Sequence, residues 1–408
     1  MAEGERAVIE RVGHRGDGVA SVGGEQVYIP YTLPGETVVF ARRGDRGDLR
    51  ENLSPSPDRI APTCRHFGVC GGCALQHWRE EKYRAWKRDL VVAALAREGV
   101  AAPVADLIDA HGEGRRRAVL HARATREGPL VGFAARRSHA VIAIDECPVL
   151  ASTLARAFAI GKRIAAAVVG KKPLDLQFTA TDGGLDVDLR DSGPLDAAAR
   201  SSLASVAADE RLARLTRHGE IVAQIAEPAV RVGRARVLLP PGAFLQATEA
   251  GETALAAIVS EAAAKSETVA DLFCGVGTFS LRLAESARVL ALDDDAPAVA
   301  ALGRAAKAPG LKPVDTEMRD LFRRPLTAAE LKRFDVVVLD PPRQGAEAQA
   351  RALAQSAVPR TIYVSCNAAS FARDARILCD GGFRSAAVTP VDQFRYSAHV
   401  EVVGVFDR

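Results

Sequence analysis

From about residue 250 onward, short apolar segments alternate with helical segments, and this order constrains the fold more than any other feature of the sequence. The apolar segments are TVADLF, RVLALD, FDVVVLD and TIYVSC. Such alternation predicts a doubly wound parallel sheet with helices on both faces. The closing segments, FRSAAVTPVD and HVEVVGVF, predict an antiparallel hairpin at one end of that sheet. We therefore expect an α/β domain over residues 246–408.

A glycine turn joins the first of these strands to its helix in VADLFCGVGTFSLRLA. Gly275 and Gly277 let the backbone approach a ligand closely, and the first helical N–H groups point toward it. Asp293 ends the next strand, where a carboxylate can accept hydrogen bonds from ribose hydroxyls, and Asp320 is placed to hold an adenine edge. Ser280 replaces the third glycine of dinucleotide sites, so we expect S-adenosylmethionine in this Rossmann-like domain.

Two further segments place reactive groups at the carboxyl ends of strands, where open α/β sheets bind ligands. Asp340 begins DPPR, and the arginine of that motif argues against an adenine or cytosine amino-methyltransferase, whose similar loop carries an aromatic residue that stacks the base. Cys366 lies between a strand and a helix start, where the helix dipole favours a nucleophilic thiolate. Cys274 and Cys379 lack this setting, and we assign them to the core.

Four other cysteines form a candidate metal site: Cys64, Cys70, Cys73 and Cys147. The chain has seven cysteines, an odd number that cannot pair completely in disulfides. Four thiolates suit either zinc or an iron-sulfur cluster, and the spacing alone does not separate the two. Three grouped cysteines with a distant one before proline are more typical of ferredoxin-like binding. His66 and His77 are additional candidate ligands, but four cysteines already complete a set.

The amino-terminal half has a different organisation. Residues 1–57 contain short strands separated by glycine turns, which predicts a small five-stranded barrel of the OB type. A proline-rich linker, SPSPDRIAPTC (54–64), leads into residues 58–245, where strands alternate with Ala-rich helices, which predicts a mixed α+β central domain. A helix at about 76–105 is expected to pack on the carboxy-terminal domain.

Composition limits the function classes. No apolar run approaches the roughly 20 residues of a membrane span, and the charged first residues do not resemble a secretion signal. We therefore expect a cytoplasmic monomer with no membrane partner. The net charge of +3 is small, yet the basic runs ARRGDRGDLR, GRRRA and AARRSH cluster in the amino-terminal half and weakly favour phosphate binding.

These motifs, in this order, resemble those of the uracil-C5 RNA methyltransferases that form 5-methyluridine. CRHFGVCGGCALQH and CPVL are similar to the cysteine motifs of that family, and AFLQAT is similar to its active-site glutamine loop. DLFCGVGTFSL, DPPR, SCNAASFARD and HVE are similar to its cofactor, loop, nucleophile and base motifs. The resemblance covers the whole chain, and the expected amino-terminal barrel resembles a TRAM domain.

The resemblance implies a role for each matching residue. Cys366 is the implied nucleophile at carbon 6 of uracil, and Glu401 of HVE is the implied base for the carbon 5 proton. Without the resemblance, Glu401 is more simply interpreted as an exposed strand carboxylate. Thr278 and Thr248 stand where the family usually has asparagine, which leaves the contact at Thr278 open. With Asp293 and Asp320, the implied cofactor-binding set is Gln246, Phe273, Thr278 and Asp340.

The resemblance also implies a [4Fe-4S] cluster on the four cysteines, with a structural role, and an RNA partner. Family members with both the barrel and the four cysteines resemble the 23S ribosomal RNA enzymes, whereas the transfer RNA enzymes usually lack both. Ribosomal RNA is therefore the expected substrate and transfer RNA the alternative. The rival from another class is a non-catalytic RNA-binding or redox protein that keeps the fold. Such a protein would have lost the thiol, the base or the acidic cofactor residues, and all are present.

Overall fold

The computed structural model describes residues 4–168 and 173–408, beginning with an amino-terminal sheet. Its strands are β1 (Glu5–Val8), β2 (Arg11–Val12), β3 (Asp17–Val22), β4 (Glu25–Pro30), β5 (Thr37–Arg43) and β6 (Arg46–Ser54). The strand order is β1-β5-β6-β4-β3-β2. Only two residues separate β1 from β2, yet these strands lie at opposite ends of the order. One bent amino-terminal strand therefore closes the sheet, which is barrel-like and has five strands when β1 and β2 are counted together.

The segment after the barrel packs on the carboxy-terminal domain. It contains α1 (Glu80–Arg97) and the short strand β7 (Ile108–Asp109). Val91 and Leu95 of α1 are buried in the same apolar cluster as Leu378 and Phe406. β7 pairs in parallel with residues 391–392 of the carboxy-terminal sheet. This stretch lies within the range expected for the central domain, but it packs on the carboxy-terminal domain and, through Tyr83 and Trp86, on the barrel.

The central domain is a seven-stranded sheet with helices on one face, in the order β10-β9-β8-β11-β12-β13-β14. Its elements are β8 (Arg117–Thr125), β9 (Gly128–Ala134), β10 (Val141–Ala143), a 3₁₀ helix (Ser152–Leu154), α2 (Ala157–Val168), β11 (Leu174–Thr181), β12 (Gly184–Arg190), α3 (Ala197–Asp209), β13 (Arg214–Arg217) and β14 (Glu220–Gln224). Leu120, Leu176 and Ile160 share the apolar core between sheet and helices. Register places Arg117 beside Thr179 and His121 beside Asp175, so the opposite face is polar.

A hairpin, β15 (Ala229–Val232) and β16 (Ala235–Leu238), leads into the carboxy-terminal domain. That domain contains α4 (Glu249–Ala262), β17 (Thr268–Leu272), α5 (Ser280–Leu283), β18 (Arg288–Asp293), α6 (Ala296–Ala305), β19 (Val314–Met318), α7 (Ala328–Leu331), β20 (Val336–Leu339), α8 (Glu347–Ala354), β21 (Arg360–Ser365), α9 (Ala368–Asp380), β22 (Arg384–Asp392) and β23 (Glu401–Asp407). The sheet order is β19-β18-β17-β20-β21-β23-β22-β7. The predicted α/β sheet and its closing antiparallel hairpin are confirmed.

Alternation along the buried strands gives this sheet a core on each face. Val336 and Val338 belong to one apolar cluster, whereas Val337 and Leu339 belong to the other. The strand order reverses between β17 and β20, so the crevice at their carboxyl ends is the expected ligand site. Among residues 4–168 and 173–408, no helix is both long and apolar enough to cross a bilayer.

Candidate active site

A cavity of about 640 Å³ lies at the carboxyl ends of β17 and β20. The predicted catalytic and cofactor residues that line it are Gln246, Phe273, Thr278, Asp293, Asp340, Cys366 and Glu401. Asp320 is not among the lining residues. Arg117 of the central sheet completes one wall, so the polar face of that sheet continues into the cavity. Residues that are far apart in the sequence therefore meet at the strand-order reversal.

The glycine turn after β17 forms the floor of the cavity. Gly275 has φ +53° with open space where a Cβ would lie, so the turn needs glycine for its conformation and leaves room for a ligand. At Gly277, a Cβ would lie 2.5 Å from Leu302 Cδ1. The N–H of Gly275 donates to Asp293 Oδ2 at 2.8 Å, so the carboxylate at the end of β18 holds this turn in place.

Two aromatic rings form another wall. Phe273 and Phe322 lie with ring centroids 5.3 Å apart, and both line the cavity. Asp320 Oδ1 accepts the N–H groups of Phe322 and Arg323, each at 3.0 Å. Asp320 thus caps the turn that presents Phe322, and its direct contact with an adenine edge remains a prediction. Phe322 is not among the residues predicted from the sequence, although Phe322 follows Asp320 by two residues in MRDLF.

Cys366 and Glu401 lie at one end of two adjacent strands. Ser365 pairs with Val402 across antiparallel β21 and β23, so Cys366 and Glu401 are each one residue beyond that pair. Glu401 is 3% exposed. Burial raises the pKa of Glu401 to about 7, against the opposing effects of Gln393, Arg343 and Lys87. A carboxyl group with this pKa can exchange a proton near neutral pH, which suits a base.

The pKa of Cys366 shifts in the direction opposite to that expected from its position before a helix. Burial, followed by the charges of Glu401 and Asp340, raises the pKa of Cys366 to about 11. The first amides of α9 do not compensate, because Asn367 Oδ1 accepts the N–H groups of Ala369 and Ser370. Without a ligand, the thiol form is therefore favoured.

A chain of side-chain hydrogen bonds joins the two acidic groups of the cavity. Gln246 Nε2 donates to Asp340 Oδ2 at 3.1 Å. Gln393 Nε2 donates to Gln246 Oε1 at 2.7 Å and to Glu401 Oε1 at 3.0 Å. Burial, with the nearby charge of Glu401, raises the pKa of Asp340 well above its usual range. Gln393 is not predicted from the sequence, because nothing in DQF marks this glutamine as buried.

Other lining residues absent from the sequence-based set frame the entrance. Phe244 is 63% exposed, and the guanidinium carbon of Arg117 lies 5.2 Å from its ring centroid. Arg343 Nη2 lies 3.4 Å from His399 Nε2. The backbone oxygen of Arg343 accepts hydrogen bonds from the start of α9, which fixes the DPPR loop. An exposed aromatic ring beside guanidinium groups is suited to stacking a nucleobase.

Thr248, which also stands where asparagine is usual in the resembled family, has a structural role. Its side-chain oxygen accepts the N–H of Gly251 at 2.8 Å and donates to the carbonyl of Ala110 at 2.6 Å. Thr248 is therefore the N-cap of α4 and ties that helix to the segment after β7. Thr278 lines the cavity, so its hydroxyl is available to a ligand.

The four remaining predicted residues surround a separate cavity of about 370 Å³: Cys64, Cys70, Cys73 and Cys147. All seven cysteines of the chain are free thiols. Within the described ranges, no three His, Cys, Asp or Glu side chains are arranged to hold one metal ion. His66 also lines this cavity, whereas His77 is buried beside the rings of Tyr31 and Phe67. The four cysteines thus line one cavity.

Comparisons with known proteins find RNA methyltransferases that are similar along nearly the whole chain. The family model described as tRNA (uracil-5-)-methyltransferase matches residues 239–408. An uncharacterized RNA methyltransferase of Brucella suis biovar 1 is 47% identical over 98% of this chain and 97% of its own length. The 23S rRNA (uracil(1939)-C(5))-methyltransferase of Halomonas elongata is 35% identical over 98% of this chain and 89% of its own length.

A solved structure extends the similarity to the fold. The crystal structure of Pyrococcus abyssi tRNA (uracil-54, C5)-methyltransferase with S-adenosyl-L-homocysteine matches with a TM-score of 0.76 and 22% identity. The match covers 98% of this chain and 100% of that chain. At this level of identity, the comparison shows that the two chains share a fold from end to end.

Proposed function

The chain belongs to the uracil-C5 RNA methyltransferase family and is an S-adenosylmethionine-dependent enzyme, and we propose that it methylates carbon 5 of a uridine in 23S ribosomal RNA. The observation that carries the proposed mechanism is the position of Cys366 and Glu401 at one end of adjacent strands, both lining the cavity. A nucleophile and a base at the same end of adjacent strands can act on neighbouring atoms of one ring.

The residues of the large cavity fit S-adenosylmethionine, which when bound supplies a methyl group on a positively charged sulfur. Open space beside Gly275 leaves room for the ligand near the turn. Phe273 and Phe322 can enclose an adenine ring, and Asp293 can accept ribose hydroxyls. The residues proposed to bind the cofactor are Gln246, Phe273, Thr278, Asp293 and Asp340, with Asp320 supporting Phe322.

Carbon 5 of uracil is a poor nucleophile, and covalent catalysis overcomes this. The Cys366 thiolate forms a bond to carbon 6, and the electron pair of the carbon 5–carbon 6 double bond moves toward the carbonyl at carbon 4. Carbon 5 then accepts the methyl group as the bond from sulfur to methyl breaks. Glu401 takes the carbon 5 proton, and that electron pair restores the double bond and expels the thiolate.

One observation supports ribosomal RNA as the substrate, and another supports a target uridine that has left its stack. The Halomonas relative named as a 23S rRNA enzyme is similar along nearly the whole chain, including the amino-terminal barrel. Phe244 and Arg117 stand at the cavity entrance, where they can hold a uridine that has left its stack. Transfer RNA is the second candidate substrate, because the archaeal enzyme with the same fold is named for it.

The substrate is tested by offering both RNAs to the purified enzyme with methyl-labelled S-adenosylmethionine. We expect label in a 23S ribosomal RNA transcript, recovered as 5-methyluridine by nucleoside mass spectrometry, and none in transfer RNA. Loss of one 5-methyluridine from the ribosomal RNA of a deletion strain would support the same assignment. Label in transfer RNA alone would refute the ribosomal substrate and establish the second candidate.

We further propose that Cys64, Cys70, Cys73 and Cys147 hold a [4Fe-4S] cluster. The four cysteines line one cavity, so four thiolates are available there to a single metal group. Four cysteine thiolates are the ligand set of a [4Fe-4S] cluster, and three grouped cysteines with a distant one before proline are typical of ferredoxin-like binding. Binding would tie the linker loop to the central sheet, so the role proposed for the cluster is structural.

A further inference from the structure

Gln393 has no part in the mechanism above, yet it contacts two of the residues that do. It lies between β22 and β23 and is fully buried. Its two N–H groups are directed at Glu401 Oε1 and Gln246 Oε1, at 3.0 and 2.7 Å. Its carbonyl oxygen accepts the N–H of Thr248 at 3.4 Å. Each polar atom of the amide is used, which fixes its orientation.

The orientation of Gln393 determines the orientation of Gln246. Because Gln246 Oε1 accepts from Gln393, the amino group of Gln246 faces Asp340 Oδ2 at 3.1 Å. One N–H of Gln246 remains for the cavity. Gln246 therefore has one N–H donor that is not used within the chain of hydrogen bonds.

Gln393 is held on both sides by buried contacts with α1. Tyr83 donates its hydroxyl to Asp392 Oδ2 at 2.6 Å. Lys87 contacts the other oxygen of Asp392 and donates to the carbonyl oxygen of Phe394 at 3.0 Å. Because both neighbours of Gln393 are anchored, the amide has little freedom to move away from Glu401.

We propose that Gln393 is a positioning residue that holds the carboxylate of Glu401 in place, and in its ionised form, to remove the carbon 5 proton. This inference rests on the proposed function. Within the described residues, Gln393 is the one side chain that hydrogen-bonds the Glu401 carboxylate. A donated hydrogen bond favours the charged form of a carboxylate, which is the form that acts as a base.

Charged groups from other elements also face Glu401. Arg343 on the loop after β20 and Lys87 on α1 favour its ionised form. Asp340 and the Cys366 thiolate repel it, as their own raised pKa values show. Burial raises the pKa of Glu401 to about 7, and the hydrogen bond from Gln393 opposes that rise most strongly. Removal of the amide should therefore raise this pKa further.

The test is a Gln393→Met variant, in which the side chain keeps a similar size and loses its donors. Tritium release from RNA labelled at carbon 5 of uridine reports proton removal in a single turnover. We expect the acid limb of the pH–rate profile for tritium release to shift upward by about one pH unit. A shift of this size is within the free energy of a hydrogen bond to a charged group. Release should be about tenfold slower near pH 6.5 and close to wild type near pH 9, because Glu401 ionises again.

Gln349→Met is the matched control. Gln349 is also buried, and its side chain exchanges two hydrogen bonds with the backbone of Leu326 outside the cavity. We expect this variant to lose stability without a shift of the acid limb, whereas an unshifted limb in Gln393→Met overturns the role of Gln393. If Gln393→Met does not fold, Gln393→Glu replaces it, and its second carboxylate should also move the limb upward. Absence of tritium release from wild type overturns the proposed function itself, and this inference with it.

Discussion

Cys366 and Glu401 lie one residue beyond the paired Ser365 and Val402, at the same end of antiparallel β21 and β23. Had β23 joined the sheet in parallel, Glu401 would begin its strand at the opposite edge, far from the cavity. The closing antiparallel hairpin therefore has a chemical consequence, because it returns the chain to the edge where the parallel strands end. This geometry underlies the proposal that one residue attacks the uracil ring and the other removes its proton.

Substitution Glu401→Gln should separate methyl transfer from product release. The amide cannot accept the carbon 5 proton, so the methylated RNA should stay bonded to Cys366. We expect turnover to fall by a factor of about 100 or more, the usual contribution of a general base. Denaturing gels with methyl-labelled cofactor should show a protein–RNA band from ordinary RNA. The partly exposed Glu347 provides the control variant, Glu347→Gln, and normal turnover in Glu401→Gln would refute the assignment of the base.

Binding of S-adenosylmethionine should activate the Cys366 thiol. Burial and two nearby carboxylates raise the pKa of this thiol to about 11, and a positive sulfur in the cavity acts in the opposite direction. A nearby opposite charge lowers the pKa of a thiol, so alkylation of Cys366 at neutral pH should accelerate about tenfold or more when S-adenosylmethionine is bound. S-adenosylhomocysteine fills the same site without the charge and is the control. Equal alkylation of Cys366 with the two ligands would contradict this prediction.

Lys87 and Asp392 form a buried ion pair between α1 and the end of β22, with the Lys87 side chain fully buried. Removal of one partner leaves the other charge buried and unpaired, so Lys87→Met should lower the free energy of unfolding by about 3–5 kcal/mol. Lys82→Met on the same helix, where the side chain is exposed, should change it by less than about 0.5 kcal/mol. Urea denaturation measures both. Equal stabilities of the two variants would mean that the pair does not anchor α1.

Binding of the iron-sulfur cluster should depend on each of the four cysteines. Anaerobically purified wild type should absorb broadly near 400 nm and contain iron and acid-labile sulfide. Cys73→Ser should lose the absorbance and the iron, whereas Cys379→Ser, outside the site, should retain both. Colourless wild-type protein with stoichiometric zinc would contradict the iron-sulfur proposal.

Motif order in the sequence was sufficient to predict the α/β sheet, the family and seven residues that line the large cavity, whereas the predicted Asp320 does not line it. These features depend on strand ends and local turns, which leave a clear pattern in the sequence. The sequence was insufficient for Phe322 and Gln393, because their roles depend on side chains brought together from distant elements. The sequence also predicted that the helix start favours the thiolate of Cys366. The pKa of this thiol is raised instead, because burial, the two carboxylates and the Asn367 cap act only in the folded chain.

The central claim is a covalent bond between Cys366 and the target uracil. The most direct measurement uses RNA with 5-fluorouridine in place of uridine, together with S-adenosylmethionine. The missing carbon 5 proton blocks release, so a methylated adduct should survive denaturation, and peptide mass spectrometry should place it on Cys366. Wild type and Cys379→Ala should form this adduct, and Cys366→Ala should not. An adduct of equal yield in Cys366→Ala would contradict the account.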